Sequence, residues 1–258
     1  MKKPIFGAGW KMYLSDSEAC QLATIINKST ILNDSVESYV LPTFTVLDRV
    51  NNILSDCVVN VGAQNMCYEH SGAFTGEVSV RSLVEMGLKY VEIGHSERRS
   101  LFNDTHVSIN RKVKLALENK LIPILCIGED LNDKIAMRTN EVLEMDIRTA
   151  LFGVDYEAAK EIIFAYEPIW AIGQQESAGA EYANNVHMFI RQLLNSLYDE
   201  SQNGDEFKIV YGGSVTAGNA EQLMKQPHID GVFVGRSSLD IESYETIFRI
   251  VSESQDLK

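Results

Sequence analysis

The sequence has few cysteines and a shortage of basic residues, and each shortage excludes a class of function. Its four cysteines are scattered and form no C-x-x-C pair, so neither a disulfide framework nor a zinc site is indicated. It has 23 lysines and arginines against 36 aspartates and glutamates, which gives a formal net charge of −13. Because nucleic acids and anionic membranes bind basic surfaces, neither is an expected partner.

Long apolar runs and linker-like segments are also lacking. No apolar stretch approaches the length of about 20 residues that crosses a bilayer. The apolar part of MKKPIFGAGWKMYL is broken by glycines and Lys11, and it is too short for a signal peptide. No segment rich in proline and serine divides the 258 residues. We therefore expect one domain over residues 1–258, in the cytoplasm and with reduced thiols.

What the sequence does contain is a regular alternation of short apolar runs and amphipathic stretches. The apolar runs are residues 4–9, 37–42, 57–64, 90–95, 121–128, 161–167, 207–213 and 229–235. Helical periodicity is clearest at residues 17–28, 110–120, 184–200 and 243–253. Repeated strand–helix units of roughly thirty residues predict a parallel sheet covered by helices. The eight repeats favour an α/β fold of the closed, single-domain (β/α)8 barrel type over an open sheet.

Several polar residues stand where these runs end, which is the edge of a barrel that carries its chemistry. The run EIIFAYE ends on Glu167, the run YVEIGH ends on His95, and Lys11 closely follows the first run. A carboxylate, an imidazole and an ammonium in one pocket can transfer a proton and stabilise an oxyanion. The ordinary alternatives are a glutamate that begins a surface loop, a hydrogen-bonded structural histidine and a solvent-exposed lysine.

Two glycine-bearing turns follow the seventh and eighth runs. YGGS at 211–214 and VGRSS at 234–238 each precede a helical stretch. Their amide groups can face an anion, and phosphate sites recur at these positions in barrels, although glycine pairs often form plain turns. The polar residues at the run ends include no pair of histidines at ligand spacing and no acidic cluster, so we expect no metal ion.

Six short motifs, in order along the chain, give the sequence a family resemblance. They are WKM (10–12), GAFTGE (72–77), IGHSERR (93–99), LCIGE (125–129), AYEPIWAIG (165–173) and YGGSV (211–215). The sequence resembles the triosephosphate isomerase family, and IGHSERR together with AYEPIWAIG makes the resemblance specific. It implies a TIM barrel that interconverts dihydroxyacetone phosphate and glyceraldehyde 3-phosphate, or a closely related small ketose phosphate, through an enediolate and without a cofactor.

The resemblance assigns roles to the polar residues. It implies that Glu167 is the base that removes the α-proton, that neutral His95 polarises the carbonyl oxygen, and that Lys11 stabilises the anionic substrate and the enediolate. It also implies that Glu97 and Ser96 support this site.

A phosphate site, a lid and a homodimer are further implications of the resemblance. The implied substrate- and phosphate-binding residues are Gly9, Gly173, Ser214, Gly235 and Arg236. The implied lid, which would close over the substrate, includes Pro168, Ile169, Trp170, Gln174 and Glu176. Thr75, in residues 72–77, resembles the family segment that inserts into a neighbouring subunit.

Three positions depart from the family pattern. Gly9 replaces an asparagine before WKM, Arg236 replaces a second glycine of the eighth turn, and Glu176 stands where a cation is typical. Loss of an amide at Gly9 would leave space beside the substrate. An alternative function is therefore a tetrulose-phosphate isomerase of the L-erythrulose 1-phosphate type, with weak activity on triose phosphate. More distant alternatives are Schiff-base chemistry at Lys11 and a non-catalytic phosphate-binding barrel.

Overall fold

The computed structural model describes residues 2–172, 178–198 and 206–254, and these contain eight strands in a closed ring. The strands are β1 (Ile5–Gly9), β2 (Glu37–Leu41), β3 (Asn60–Ala63), β4 (Tyr90–Ile93), β5 (Ile122–Ile127), β6 (Ile163–Tyr166), β7 (Lys208–Tyr211) and β8 (Gly231–Val234). Each strand falls within one of the apolar runs. Neighbouring strands are parallel, and β1 pairs with both β2 and β8, so the predicted (β/α)8 barrel is confirmed.

Helices occupy the connections between the strands. They are α1 (Asp16–Lys28), α2 (Leu47–Ile53), α3 (Val80–Glu85), α4 (Ser96–Leu101), α5 (His106–Glu118), α6 (Leu131–Ile135), α7 (Thr139–Ala150), α8 (Tyr156–Lys160), α9 (Ala180–Leu197), α10 (Ala220–Met224) and α11 (Ile241–Glu253). The four helices predicted from periodicity are present as α1, α5, α9 and α11. Helix α5 begins earlier than predicted, because Thr105 and Ser108 form a reciprocal capping pair.

The core has two apolar layers, one inside the barrel and one between the strands and the helices. Alternate strand residues face the two layers. On β1, Ile5 packs with Tyr39 and Phe233 in the inner layer, whereas Phe6 and Ala8 pack in the outer layer. Because both faces of the strands are buried, the carboxyl ends of the strands are held in fixed positions.

Two further observations bear on the sequence-based expectations. Within the described ranges, no helix has the length and apolar character needed to cross a membrane. All four cysteines, Cys20, Cys57, Cys67 and Cys126, are free.

Candidate active site

A cavity of about 1000 Å³ opens at the carboxyl ends of the strands and contains the three residues assigned to proton transfer. Lys11 follows β1, His95 follows β4 and Glu167 follows β6. Their side chains line one cavity, together with Ser214 and Gly235 of the two glycine-bearing turns. The structure therefore brings together residues that are far apart in the sequence.

Glu167 is fixed by its backbone. Its N–H donates to the Ile127 carbonyl at 2.8 Å, which extends the pairing of β5 and β6 by one residue. Gly128 permits this close approach, because a Cβ at that position would lie 1.8 Å from the Glu167 carbonyl oxygen. Glu167 is 2% exposed, so it is a buried residue of the cavity and not the start of a surface loop.

His95 is held by the first turn of α4. The Glu97 N–H donates to Nδ1 at 3.2 Å, which requires a lone pair on Nδ1 and so favours a neutral ring with its proton on Nε2. Nε2 lies 3.4 Å from Glu167 Oε1. Burial disfavours the imidazolium, but the carboxylates of Glu167 and then Glu92 outweigh burial and raise the pKa of His95. The hydrogen bond and the carboxylates thus act on the charge of the ring in opposite directions.

Lys11 lies in a turn with an uncommon backbone conformation. Its φ of 49° is in the left-handed region, which non-glycine residues adopt mainly where surrounding contacts enforce it. Gln64 supplies such contacts, because its Nε2 donates to the carbonyls of Lys11 and Leu41, both at 2.9 Å. The Lys11 ammonium donates to Glu97 Oε1 at 2.6 Å. Burial opposes the charge, but this hydrogen bond and the carboxylate of Glu97 raise the pKa of Lys11, so it is a cation at neutral pH.

Glu97 and Ser96 both lie in the first turn of α4. Glu97 contacts two of the assigned residues, since its Oε2 also lies 3.7 Å from His95 Nδ1. Partial burial would raise the pKa of Glu97, but the hydrogen bond from Lys11 and the charge of His95 lower it. Ser96 is the first residue of α4 and is half-buried. Both residues are therefore placed beside the proposed acid–base pair.

The two glycine-bearing turns form part of the cavity wall. Ser214 is half-buried after β7, and Gly235 follows β8 directly before a 3₁₀ turn that begins at Arg236. A Cβ on Gly235 would meet no atom within 4 Å, so open space lies beside it. The exposed Arg236 side chain donates to the Tyr13 hydroxyl at 3.1 Å. Arg236 thus contributes a backbone N–H at the turn, while its guanidinium binds Tyr13 in the loop after β1.

The first part of the predicted lid is attached to Glu129. Pro168 precedes a 3₁₀ turn that contains Ile169 and Trp170. The Ile169 N–H donates to the Glu129 carbonyl at 3.0 Å, and Trp170 Nε1 donates to Glu129 Oε1 at 2.9 Å. The Tyr182 hydroxyl on α9 donates to the same oxygen at 3.0 Å. Three residues assigned to phosphate binding or to the lid lie outside the described residues: Gly173, Gln174 and Glu176.

Comparison with known proteins identifies the family of the chain. A sequence model described as triosephosphate isomerase matches residues 4–251. The chain belongs to the triosephosphate isomerase family. A protein named triosephosphate isomerase from Alkaliphilus metalliredigens is 42% identical over 244 residues, which cover 95% of this chain and 98% of that protein. One from Endomicrobium trichonymphae is 40% identical over 249 residues, covering 96% and 99%. One from Syntrophotalea carbinolica is 42% identical over 251 residues, covering 96% and 98%.

In this triosephosphate isomerase family member, an aromatic ring lies beside Gly9. A Cβ on Gly9 would lie 3.2 Å from Phe233 Cζ, and Phe233 is buried in the inner layer of the barrel. A side chain at position 9 would therefore be in tight contact with an aromatic ring from β8, and the expectation that Gly9 leaves space beside the substrate stays a prediction. The two residues lie near opposite ends of the sequence, so only the closure of the barrel reveals their contact.

Glu92 is the site residue that our sequence reasoning missed in this triosephosphate isomerase family member. It stands on β4, is 7% exposed and lines the active cavity. The sequence does show an acidic residue within the apolar run YVEIGH. It stands two residues after Tyr90 and therefore on the same face of the strand, and Tyr90 packs in the inner layer. Glu92, His95 and Glu167 are close enough to surround a metal ion, but the Lys11 ammonium acts on the same cluster and opposes a cation. The expected absence of a metal stays a prediction.

Proposed function

We propose that the chain interconverts dihydroxyacetone phosphate and glyceraldehyde 3-phosphate. The observation that supports this most directly is the placement of His95 Nε2 3.4 Å from Glu167 Oε1, in a cavity that also contains the Lys11 side chain. A base, a hydrogen-bond donor and a cation are the groups that enolisation of a ketose phosphate requires.

The proposed reaction moves one proton between two adjacent carbons of the substrate and a second proton between the oxygens that these carbons carry. Glu167 accepts the proton from the carbon beside the carbonyl and returns it to the neighbouring carbon. The His95 Nε2–H donates to the oxygen on which negative charge develops, and Lys11 adds a positive charge beside it. A preorganised donor of this kind contributes about 3–4 kcal/mol of transition-state stabilisation.

Phosphate binding and lid closure complete the proposal. We assign the substrate phosphate to the backbone N–H groups of Ser214, Gly235, Arg236 and Gly173. Backbone amides at turns that precede helices bind anions without a charged side chain. Closure of the lid that starts at Pro168 would expel water, which strengthens these contacts and protects the enediolate from loss of phosphate.

We further propose a homodimer formed by the loops around the cavity. Met12 is 89% exposed and Leu101 is 71% exposed, and Phe44, Phe74 and Phe102 are also exposed apolar residues of these loops. Large exposed apolar groups near one another are typical of protein interfaces. Residues 72–77, with the exposed Thr75, would reach the partner subunit from this surface.

The alternatives have less support. No described contact favours a tetrulose phosphate, and the Phe233 ring borders the space beside Gly9 on which that hypothesis depended. Schiff-base chemistry needs a neutral amine, whereas Lys11 is paired with Glu97 and its pKa is raised, with burial opposing the rise. A non-catalytic barrel would not need a carboxylate, an imidazole and an ammonium that line one cavity. A cytoplasmic location stays a proposal, supported by the four free cysteines.

The test is a coupled assay of both directions with the purified chain, run beside Glu167→Gln. We expect rapid turnover for the natural chain and loss of nearly all turnover in the variant, whose amide cannot accept a proton. Deuterium from the solvent should enter dihydroxyacetone phosphate at the carbon beside the carbonyl only with the natural chain. Absence of exchange and turnover with triose phosphates would refute the proposed function, and turnover restricted to four-carbon ketose phosphates would support the tetrulose alternative.

A further inference from the structure

Glu92 is a buried acid beside the catalytic groups, and the reaction above does not use it. An oxygen of Glu92, a ring nitrogen of His95 and an oxygen of Glu167 lie within 4.8 Å of one another. Groups at this spacing do not titrate independently, because a proton on one changes the energy of a proton on the others. The charge of His95 and Glu167 therefore depends on the protonation of Glu92.

The surroundings of Glu92 disfavour a permanent negative charge. The hydrogen-bond partner that the structure gives it is the Cys126 thiol, whose Sγ lies 3.7 Å from Oε1, and a thiol is a weak donor. The nearby cation, Lys11, already donates to Glu97 at 2.6 Å. A buried carboxylate without a strong partner takes up a proton in preference to remaining charged. The geometry thus favours the neutral acid.

Several titratable groups act on this carboxyl from around the barrel. They are Tyr39 on β2, Cys126 on β5, Lys11 after β1, His95 and Glu97 after β4, and Glu167 after β6. Burial is the largest influence and raises the pKa of Glu92 to about 7. Positive charge on His95 and Lys11 opposes this rise, while the carboxylates of Glu167 and Glu97 add to it.

A proton on Glu92 also resolves the conflict between the carboxylates, which favour a charged His95 ring, and the hydrogen bond from the Glu97 N–H, which favours a neutral one. An ionised Glu92 would be a second carboxylate that draws a proton onto the ring. The Glu97 N–H, however, donates to Nδ1 at 3.2 Å and requires a neutral ring. If Glu92 carries the proton, this hydrogen bond is preserved and Glu167 remains free to act as a base.

We propose that Glu92 is a positioning residue of the catalytic centre, which holds a proton beside His95 and Glu167 and so keeps His95 neutral while Glu167 stays a carboxylate. This inference rests on the proposed isomerase function of the same site. The nearest chemical analogy is a carboxylic acid that an apolar site keeps protonated at neutral pH. In this role, Glu92 acts through His95 and Glu167.

A pH dependence follows from this role. As the pH rises through about 7, the free protein loses the proton on Glu92. The cavity then gains a negative charge that repels the anionic substrate, so kcat/KM, which reports the free enzyme, falls. Bound substrate adds negative charge and holds the proton on Glu92 more firmly, so kcat changes less over the same range. Glu92→Gln, a neutral side chain of the same shape, has no such ionisation.

The first experiment compares pH profiles of kcat/KM and kcat for the natural chain and Glu92→Gln, from about pH 6 to about pH 9. We expect kcat/KM of the natural chain to decline about tenfold on the alkaline side relative to the variant, with a smaller change in kcat. Glu37→Gln is the matched control, because Glu37 pairs with Lys208 at 2.9 Å at the amino end of β2 and should not change the profile. Superimposable profiles for the natural chain and Glu92→Gln would overturn the proposal.

The second experiment needs neither substrate nor a folded variant. Infrared spectra of the natural chain should show a protonated carboxylic acid that disappears as the pH is raised through about 7. Nitrogen-15 spectra should show a neutral His95 ring below this transition. An imidazolium at His95, or no carboxylic acid in this range, would overturn the proposal even if the isomerase assay succeeds. If the isomerase assay fails, the proposed function is refuted, and these spectra still report where the proton lies.

Discussion

The Phe233 ring lies against the backbone of Gly9, at 3.2 Å from Cζ to the position that a Cβ on Gly9 would occupy. This contact joins the first and last strands of the barrel at the level of the active cavity. A larger residue at position 9 therefore requires the Phe233 ring to shift by a few tenths of an ångström.

We predict that Gly9→Asn alone lowers the free energy of unfolding by about 1–3 kcal/mol, because it overpacks the contact with Phe233. Adding Phe233→Leu should restore part of that loss. Chemical denaturation of the natural chain, both single variants and the double variant measures the coupling between the two positions. Strictly additive effects would show that the two side chains do not compete for this space.

A second prediction concerns the position of the base. Glu167→Asp withdraws the carboxylate by one methylene, so kcat should fall about a hundredfold while KM changes little. His95→Gln keeps a donor and should retain more kcat than His95→Ala. Steady-state kinetics in both directions check these expectations. A Glu167→Asp variant with nearly full kcat would mean that another group removes the proton.

A third prediction concerns the hydrogen bond that attaches Trp170 of the lid to Glu129. Trp170→Phe removes the 2.9 Å hydrogen bond to Glu129 Oε1, and Tyr182→Phe removes a 3.0 Å bond to the same oxygen from α9. Both variants should lose about 0.5–1.5 kcal/mol of stability. Because Trp170 alone belongs to the lid, we expect a change in kcat and KM only for Trp170→Phe. Equal kinetic effects of the two substitutions would contradict this division.

The half-buried Asp104 gives a prediction about stability in acid. It accepts hydrogen bonds from Arg98 Nε at 3.0 Å and from Lys112 Nζ at 2.7 Å. Burial would raise the pKa of Asp104, but these bonds outweigh it and lower the pKa below its ordinary value. Burial also lowers the pKa of Lys112 in spite of Asp104, so we assign the stabilisation to the carboxylate and not to the ammonium.

The sign follows from the lowered pKa of Asp104. The unfolded chain binds more protons at this group, so Asp104 contributes stability above its ordinary pKa of about 4 and loses that contribution as the pH falls. Asp104→Asn should therefore reduce the free energy of unfolding by about 1–3 kcal/mol at neutral pH and by less in acid. Urea denaturation at both pH values is the measurement, with Asp133→Asn as the control, because Asp133 pairs with the exposed Arg138 and is less buried than Asp104. An equal loss at both pH values would contradict the argument.

The dimer prediction concerns the exposed segment 72–77. Replacing Thr75 with a charged residue, or shortening the segment, should weaken association and reduce activity together. Sedimentation and activity measured over the same dilution series check this. A fully active monomer at low concentration would show that each subunit completes its own site.

The sequence was sufficient to predict the strands and to select the acid–base residues, because both follow from local patterns. Each apolar run contains a strand, and each assigned residue stands where a run ends or just beyond it. The helix starts were less accurate, since the capping pair of Thr105 and Ser108 lies outside the apolar repeat of α5. The contact of Gly9 with Phe233 was not predictable, because a closed barrel makes β1 and β8 neighbours but does not give the register between them.

Glu92 was missed for a different reason. The predicted barrel buries both faces of β4, but the sequence does not show whether position 92 faces the inside of the barrel or the helices. Only the closed barrel places this carboxyl beside His95 and Glu167. The local sequence pattern was therefore enough to identify the residues at the strand ends. The three-dimensional structure was needed to identify Glu92 inside the barrel.

The pairing of β1 with β8 has a consequence for how the protein is made. Ile5 pairs with Gly231, so a chain still being synthesised cannot close its sheet until its eighth strand has left the ribosome. Until then, two strand edges are open, and open edges promote pairing with other chains. The turn at Gly235 and Arg236 is translated after this strand. During translation, the nascent chain must therefore avoid aggregation before it has a complete site with which to bind a ligand.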